Sequence, residues 1–449
     1  MMNGEGSAAT NRVGIGMKFG YGAGDFAFNL AYQTTALFLL YFFTDVFAIG
    51  AAAAGTIFLV SKLWDAVSDP MMGFISDHTN SRWGKKRPYI LFGAIPLGLA
   101  LYLLFASPDV PVDMRFIYGL VTFILFCTVI TVLNVPYAAL TASLTLDIKE
   151  RSNITGYRTT FGLIGTLVAA GATKLVVAAF PDEVTGFRMM GIFYGLVIVV
   201  VMFTTFASVR ERVVHDEEKQ PFMKNLGVIF INRPFLILAA ATVMFMVAIN
   251  MLAAVVNYYF KYNLNAEKMI PLAFLALFVT AVLFIPLFVY ISNKKSKKFA
   301  FNLGMGFLAL TLIALFFFGE RDMSITIAIF IAAGIGMTTV FLSPWSMIPD
   351  TVEYSEWKTG LRREGILYGC FFFCFKLGSA LAGFLAGLGL DIFGYVANIE
   401  QSESSLLGIR LMISLVPLIF VIAGMVLLSS YPIDEAFHRK MLDDIAKQR

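Results

Sequence analysis

Residues 51–76, AAAAGTIFLVSKLWDAVSDPMMGFIS, form an apolar stretch that contains two carboxylates, Asp65 and Asp69. A helix needs about 20 mostly apolar residues to cross the hydrocarbon core of a bilayer, and this stretch is longer. The four-residue spacing places both carboxylates on one face of that helix, with Ser68 beside them. A charged side chain at the bilayer centre costs about 2.5–3.5 kcal/mol on insertion scales. The pair therefore predicts a membrane helix that turns a cation-binding face toward water.

The composition of the whole chain indicates a protein with many membrane helices. It is 58% hydrophobic and 15% aromatic, and its mean hydropathy is +0.78, well above the range of soluble domains. The 449 residues are enough for twelve spans joined by short loops. We predict an all-α integral membrane protein with twelve transmembrane helices in two pseudo-symmetric six-helix bundles, with spans near residues 20–48, 51–76, 88–107, 114–142, 155–180, 189–209, 234–260, 268–292, 299–318, 324–347, 364–392 and 407–430.

The positions of lysine and arginine predict the orientation of these helices. With twelve spans both termini lie on one side, and that side, with its loops and the start of the fifth span, holds 25 of the 34 basic residues. Cytoplasmic loops carry such an excess, so we predict a multi-pass protein of the plasma (bacterial inner) membrane with both termini in the cytoplasm. The net charge of +4 then comes from membrane anchors, and no nucleic-acid partner is expected.

The most polar interior stretch, residues 210–233, divides the predicted spans six and six. We predict four segments from this division: a six-helix bundle at 1–209, a cytoplasmic linker at 210–233, a second bundle at 234–430 and a cytoplasmic tail at 431–449. The halves resemble each other, since NVPY at 134–137 is echoed by LSPW at 342–345. Many secondary transporters consist of such duplicated units, with their substrate and ion sites near the midplane.

The first span carries a polar stripe of Asp25, Asn29 and Gln33, each one helical turn from the next. Helical geometry stacks these side chains on one face. Polar residues in a membrane helix either hydrogen-bond to a neighbouring helix or line a water-filled cavity. Three consecutive turns favour the cavity, so we predict that the stripe contacts a substrate.

The second and fourth spans offer ligands for a cation. Lys62 precedes Asp65 by three residues, so one alternative is a buried ion pair without any ligand. That pairing leaves the second carboxylate unexplained, and we favour a cation site in which Ser68 accompanies the acidic pair. Thr131 and Asn134 in the fourth span add neutral oxygens. Such a site suits Na⁺, which prefers oxygen ligands, and equally suits a proton shared between close carboxylates.

Basic and aromatic residues within the spans complete the predicted substrate site. Arg158 and Lys376 are basic groups at or within apolar spans, and Phe372 lies one turn below Lys376. For Arg158 the alternative is a side chain that extends to the membrane interface. Tyr137 and Trp345 are candidates for stacking on the apolar face of a sugar ring, although packing explains either ring equally well.

Several motifs resemble signatures of the glycoside–pentoside–hexuronide:cation symporters, a family of the major facilitator superfamily. They are YGAGD at 21–25, WDAVSDP at 64–70, RWGKKRP at 82–88, NVPY at 134–137, PDTVEY at 349–354 and EWKTG at 356–360. The resemblance implies the major facilitator fold, with Asp65 and Asp69 as the metal ligands if the ion is Na⁺. It also implies that Thr131 is a hydroxyl ligand and that the basic residues of the spans lie in the cavity. Asp25 is common in pentoside- and glucuronide-type relatives, so it favours a pentoside, glucoside or hexuronide.

Together the patterns predict a secondary active symporter that imports a sugar or glycoside with Na⁺ or H⁺ by alternating access. The expected partners are the sugar, the coupling cation and the lipid bilayer; we expect no cofactor besides the ion, and function as a monomer. Contacts between short cytoplasmic segments are predicted to gate the inner side, and their residues are Asp77, Arg82, Arg87, Asp350, Glu353 and Arg363.

Three other kinds of protein are alternatives. A lysolipid or other amphiphile carrier of the same superfamily would need a less polar cavity than the one predicted here. A non-transporting membrane sensor would ordinarily have a soluble output domain, and the predicted tail is short. An enzyme is not expected, because the sequence shows no nucleophile elbow or phosphate loop and its three His residues fall in loops or the tail.

Overall fold

The computed structural model of this chain describes residues 13–144, 148–211, 230–360 and 364–448. Within these ranges the ordered elements are α-helices with short π and 3-10 turns. The chain divides into two compact units, Met1–Glu218 and Lys219–Arg449, and the division falls inside the predicted linker. Residues 212–229 of that linker lie outside the described part of the chain. The exact domain boundaries given above stay a prediction.

The N-terminal unit contains six long helices. Their bounds are α1 Ile15–Tyr41, α2 Ala51–His78, α3 Arg87–Phe105, α4 Val112–Leu144, α5 Ile148–Ala178 and α6 Glu183–Ser208. Helix α1 packs against α5 and α6, α2 packs against α4, and α3 packs against α4 and α6. The pairing of α2 with α4 brings the predicted cation ligands together. The pairing of α1 with α5 does the same for the polar stripe and Arg158.

The C-terminal unit repeats these pairings, and two of its spans are each divided into two shorter helices. Its bounds are α7 Arg233–Tyr258, α8 Ile270–Leu283, α9 Ile285–Lys294, α10 Lys297–Phe318, α11 Met323–Thr359, α12 Glu364–Ile392, α13 Glu403–Ile413, α14 Leu415–Ser429 and α15 Glu435–Gln448. The regular helix is interrupted for one residue at Phe284 and at Ser414. Pro286 and Pro417 follow these breaks, and a proline lacks the N–H that the helix ladder needs.

The helices agree with the predicted number of spans. Eleven helical stretches of the described chain are long and apolar enough to cross a membrane. Helix α2, with 28 residues, is the twelfth. It is less apolar than those eleven because it contains Lys62, Asp65 and Asp69. At about 1.5 Å per residue it is longer than the hydrocarbon core of a bilayer. The prediction of an all-α chain with membrane-spanning helices is confirmed.

The first helix of each unit ends in the same way. Helix α1 continues into a π turn at Phe42–Val46, and α7 continues into one at Tyr259–Asn263. A residue in the left-handed region follows each turn, Ala48 with φ 55° and Asn265 with φ 49°. A positive φ is uncommon for residues other than glycine, so its recurrence at the same point of both units indicates a duplicated design.

A second duplicated feature joins helix ends through arginine. Arg188 of α6 donates from Nε to the Ala106 carbonyl after α3 at 2.9 Å, and Arg410 of α13 donates from Nε to the Phe316 carbonyl of α10 at 2.7 Å. The last carbonyls of a helix have no partner within the helix, so each guanidinium satisfies one of them. The internal echo seen in the sequence is therefore present in the contacts of both units.

Candidate functional site

The two carboxylates of α2 meet one hydroxyl group of α4. Thr131 Oγ1 lies 2.8 Å from Asp65 Oδ1 and 2.9 Å from Asp69 Oδ1. Asp65 and Thr131 are each only 3% exposed, whereas Asp69 is half-buried. A hydroxyl has one proton, so Thr131 donates to one carboxylate at a time. The other short oxygen–oxygen contact calls for a proton on a carboxyl group or a cation near both oxygens.

Lys62 balances part of the negative charge of this Asp65–Asp69 site. Its Nζ lies 3.9 Å from Asp65 Oδ2, which is an ion-pair distance but too long for a hydrogen bond. The ammonium also lies 4.6 Å from the centre of the Tyr32 ring. The predicted pairing of Lys62 with Asp65 is therefore present and loose. With both carboxylates ionised, the three side chains carry one net negative charge.

Ser68 and Asn134 differ in how closely they accompany the acidic pair. Ser68 is buried and donates from Oγ to the backbone carbonyl of Asp65 at 3.0 Å, so its oxygen lies on the inner side of α2. Asn134 lies one turn after Thr131 on α4 and is exposed. Cation binding by either residue stays a prediction.

Asp25 of the polar stripe pairs with Arg158 of α5. Arg158 Nη2 donates to Asp25 Oδ1 at 3.0 Å, and Asn29 Nδ2 donates to the Asp25 backbone carbonyl at 2.9 Å. The side chains of Asp25 and Arg158 are 17% and 20% exposed, so the pair is partly open. Gln33 is half-buried two turns from Asp25 on the same helix. Arg158 bonds to α1 and does not extend away from the helices, as the interfacial alternative required.

Tyr137 is enclosed by other side chains and does not present the surface that was predicted to stack on a sugar. Its side chain is 0% exposed, and its ring lies 4.6 Å from the Tyr21 ring and 5.0 Å from the Phe28 ring, centre to centre. A ring enclosed in this way offers no face to a sugar. The open face that stacking on a sugar requires is therefore missing from Tyr137 in this structure, because the Tyr21 and Phe28 rings and the Arg158 guanidinium pack around its ring.

Two residues near Arg158 were not among the predicted site residues. Tyr21 and Thr141 join their hydroxyl oxygens at 2.8 Å, and Thr141 accepts from Arg158 Nη1 at 3.1 Å. A signal for both existed: Tyr21 lies one turn before Asp25 and extends the polar stripe, and Thr141 lies one turn after Tyr137.

In the C-terminal unit an aromatic cluster surrounds Trp345 of α11. The rings of Phe371, Phe372 and Phe375 of α12 lie 5.3, 5.2 and 6.1 Å from the Trp345 ring. Trp345 and Phe372 are 36% and 47% exposed, so both rings present open surface. Lys376 is half-buried one turn beyond Phe372. The C-terminal residues of the predicted substrate site thus lie in one region of their own unit.

Two predicted gating residues, Asp350 and Glu353, belong to an ionic cluster of the C-terminal unit. Lys297 Nζ contacts both carboxylate oxygens of Asp350, at 2.7 and 2.9 Å. His438 Nε2 of α15 lies 2.6 Å from Glu353 Oε2 and 3.7 Å from Asp350 Oδ1. Lys297 and His438 were not predicted, because they are 53 and 85 residues from their partners along the chain.

Arg87, another predicted gating residue, fixes the start of α3 to the end of α6. Arg87 Nη2 donates to the Phe206 carbonyl at 2.9 Å. The Glu211 carboxylate accepts from the backbone N–H groups of residues 85, 86 and 87 at 3.0, 2.8 and 3.0 Å. An anion is favourable at a helix N-terminus because the first N–H groups lack helical partners. In this structure Arg87 therefore holds the start of α3 to the end of α6 within its unit.

The remaining predicted gating residues are less defined. Arg82 is exposed, and its guanidinium lies 4.1 Å from the centre of the Trp83 ring. The side chain of Asp77 and the whole of Arg363 lie outside what the structure describes. The gating role of all six residues stays a prediction.

Comparison with known proteins gives matches over nearly the whole chain. Residues 20–435 match the family of MFS/sugar transport proteins. The uncharacterized symporter YnaJ of Bacillus subtilis (strain 168) is 34% identical over 446 residues, which cover 98% of this chain and 96% of that protein. The isoprimeverose transporter of Lactiplantibacillus pentosus is 30% identical over 447 residues, with coverage of 98% and 92%.

Solved structures support the same architecture. The nucleoside transporter NupG superposes with a TM-score of 0.64 and covers 93% of this chain and 100% of its own, at 11% sequence identity. At this identity the likeness shows the fold alone.

Proposed function

We infer the function from one premise: this chain belongs to the MFS/sugar transport protein family. It is therefore a multi-pass membrane protein and a cation-coupled sugar symporter, not an enzyme. We propose in addition where the cation and the sugar bind, and which class of sugar is carried. In this proposal Na⁺ or H⁺ occupies the Asp65–Asp69 site, and cation and sugar cross together by alternating access.

One observation carries the cation proposal: a single buried hydroxyl lies within 2.9 Å of two carboxylates inside the membrane-spanning part of the chain. The charges of Lys62, Asp65 and Asp69 sum to one negative charge when both carboxylates are ionised, and the contact between Lys62 and Asp65 is loose. A monovalent cation would bring this sum to zero. Na⁺ finds carboxylate and hydroxyl oxygens there, and a proton finds two acceptors that compete for it.

The sugar proposal depends on the partly open Asp25–Arg158 pair. A carboxylate and a guanidinium side by side accept from and donate to the hydroxyl groups of a glycoside, and Arg158 also suits the carboxylate of a hexuronide. Open rings such as Trp345 and Phe372 suit the apolar face of a sugar. One relative is named an isoprimeverose transporter. We therefore propose a pentoside, glucoside or hexuronide as the substrate.

The proposal also covers topology and assembly. The excess of Lys and Arg on one side supports cytoplasmic termini. All proposed cation ligands come from one unit of one chain, which supports function as a monomer.

The direct test is transport by purified protein in liposomes, with Na⁺ and pH gradients imposed separately. The panel contains isoprimeverose, simple pentosides, glucosides and hexuronides, with a lysolipid for the amphiphile alternative. We expect one sugar class to accumulate against its gradient with one of the two ions. Uptake of lysolipid alone, or sugar uptake that neither gradient drives, would contradict the proposal.

Asp65→Asn and Asp69→Asn each keep the shape of the side chain and remove its charge. We expect either variant to lose gradient-driven accumulation by more than about fivefold, the lower end of typical coupling between two ligands. The matched control is Asp113→Asn, at an exposed aspartate of the same unit. A double variant that still concentrates sugar would place the coupling site elsewhere.

A further inference from the structure

Helices α1 and α4 are joined by two tyrosines that hold each other's backbone. Tyr21 donates from its hydroxyl to the Tyr137 carbonyl at 2.7 Å, and Tyr137 donates from its hydroxyl to the Tyr21 carbonyl. Both side chains are 0% exposed. We name this pair of residues the tyrosine clasp. Each buried hydroxyl satisfies a buried carbonyl, so loss of either hydroxyl leaves a polar group without that partner.

The clasp continues into Arg158. The single proton of the Tyr21 hydroxyl goes to the Tyr137 carbonyl, so Thr141 must donate to the Tyr21 oxygen at 2.8 Å. Thr141 in turn accepts from Arg158 Nη1 at 3.1 Å, and Arg158 Nη2 donates to Asp25 at 3.0 Å. The hydrogen bonds that lead from Arg158 through Thr141 and Tyr21 to the Tyr137 carbonyl therefore all donate in the same direction.

The rings of the clasp also hold the guanidinium by contact. The Arg158 guanidinium carbon lies 4.9 Å from the centre of the Tyr137 ring and 5.4 Å from that of Tyr21. The close approach of the Tyr137 ring to α1 depends on Gly24, because a Cβ there would lie 2.5 Å from that ring. The position of Arg158 thus follows the position of α4.

Helix α4 carries both ends of this connection. Thr131, which contacts both carboxylates of the Asp65–Asp69 site, precedes Tyr137 by six residues in the unbroken helix Val112–Leu144. Six residues of helix correspond to about 9 Å. Thr131, Tyr137 and Thr141 belong to this one helix, with Pro136 between the first two, so a displacement of Thr131 against α2 would be passed along α4 to the Tyr137 carbonyl and Thr141.

We propose that the tyrosine clasp is the link that makes the Asp25–Arg158 pair respond to cation binding at the Asp65–Asp69 site. Tyr21, Tyr137 and Thr141 are then positioning residues that touch neither the cation nor the sugar. The inference rests on the proposed function, since it needs a cation at that site. It adds the path by which the cation changes the sugar site.

The test uses a labelling reporter that needs no knowledge of the sugar. Gln33→Cys is placed in a background in which Cys127, Cys370 and Cys374 are replaced by alanine, and maleimide labelling is followed in NaCl, in choline chloride and at two pH values. Thermal unfolding under the same conditions reports cation binding itself, because a ligand of the folded state raises its stability. The variants are Tyr21→Phe and Tyr137→Phe, which keep the rings and remove the hydroxyls.

We expect the cation to change the labelling rate of the parent protein by about fivefold or more, as for typical couplings between sites. In the clasp variants the change should fall below about twofold, while the cation still raises the unfolding temperature. The matched control is Tyr194→Phe, which removes another buried tyrosine hydroxyl that bonds Thr173 of the neighbouring helix at 3.2 Å.

The outcomes separate the two proposals. If the clasp variants keep the full response of the reporter, the clasp is not the link. If they lose the cation effect on unfolding together with the reporter response, the hydroxyls build the cation site and the inference is again overturned. If the parent protein shows no effect of either cation on unfolding, the proposed cation site itself is wrong.

Discussion

Thr131 has one proton and two carboxylate neighbours, and this imbalance defines the chemistry of the site. A hydroxyl that donates to Asp65 at 2.8 Å leaves Asp69 at 2.9 Å without a proton between the two oxygens. Water has little access to the Asp65 carboxylate and the Thr131 hydroxyl, since both residues are buried. In the proposed site a small cation would resolve the conflict by accepting electron pairs from all three side chains.

Substitution of Thr131 tests this argument at a single oxygen. Thr131→Val keeps the shape of the side chain and removes the hydroxyl, whereas Thr131→Ser keeps the hydroxyl. A hydrogen bond or ligand contact to a charged group contributes about 1.5–3 kcal/mol, so the valine variant should need at least about tenfold more cation for half-maximal sugar uptake. The serine variant should stay close to the parent protein.

Uptake measured against Na⁺ concentration or pH gives the half-maximal values for the three proteins. An equal response of the valine and parent proteins would remove Thr131 from the site.

Relations within one helix are those that spacing alone predicts. Asp65 and Asp69 share a helix face because four residues separate them, and periodicity states this directly. The partners of Asp350 are different: Lys297 is on another helix, 53 residues away. Such pairs depend on which helices pack together, and local spacing does not encode that.

At the scale of elements, the spans were predicted well because apolar length decides them. The predicted span at 51–76 agrees with α2 at Ala51–His78 to within a few residues. The helix breaks at Phe284 and Ser414 were not predicted, and the spans 268–292 and 407–430 were read as continuous. Hydropathy does not change at a break, and a proline inside a membrane helix is often tolerated.

Two helices begin with an aspartate cap. Asp182 caps α6, where its carboxylate accepts from the Thr185 N–H and hydroxyl at 2.8 Å each, and Asp322 caps α11 by accepting from the Ser324 N–H at 2.7 Å. The backbone N–H bond, followed by the side-chain bond, holds the pKa of each carboxyl below its usual range. Both caps lie outside the membrane-spanning stretches.

The lowered pKa of Asp182 predicts a pH dependence of stability. Because this pKa is lower in the folded than in the unfolded chain, the stabilisation is complete above the unfolded value of about 4 and is lost as the pH falls through the folded value. Asp182→Asn keeps a capping oxygen and cannot titrate, so its unfolding temperature should fall less on acidification.

Thermal unfolding in detergent over a range of acidic pH measures this difference. Asp109→Asn, at an exposed aspartate of the loop before α4, serves as the control and should follow the parent curve. Parallel curves for the Asp182 variant and the parent would contradict the prediction.

At the scale of the whole molecule, the two units share the same helix pairings, but a threonine contact between paired helices involves charged groups in one unit and neutral groups in the other. In the N-terminal unit the threonine hydroxyl of α4 meets carboxylates of α2. In the C-terminal unit Thr338 of α11 donates to the Ala281 backbone carbonyl of α8 at 2.9 Å, next to the break before α9. The second contact is neutral and closes a backbone acceptor, so it is structural.

This difference predicts that two similar substitutions affect different properties, stability in one case and the cation dependence of uptake in the other. Thr338→Val should lower the free energy of unfolding by about 1 kcal/mol, the usual contribution of one hydrogen bond, and should leave the cation dependence of uptake unchanged. Thr131→Val should change the cation dependence. Unfolding and uptake measured on both variants compare them, and a changed ion requirement in the Thr338 variant would contradict a purely structural role.

The loose pairing of Lys62 has an electrical consequence. With both carboxylates ionised, Lys62, Asp65 and Asp69 together carry one net negative charge within the membrane, and a Na⁺ or proton bound at the proposed site would bring that sum to zero. A transmembrane potential acts on net charge with about 2.3 kcal/mol per elementary charge for about 100 mV. An interior-negative voltage should therefore drive the vacant site toward the outer face, where the next ion arrives, and should leave the loaded site nearly indifferent to the field.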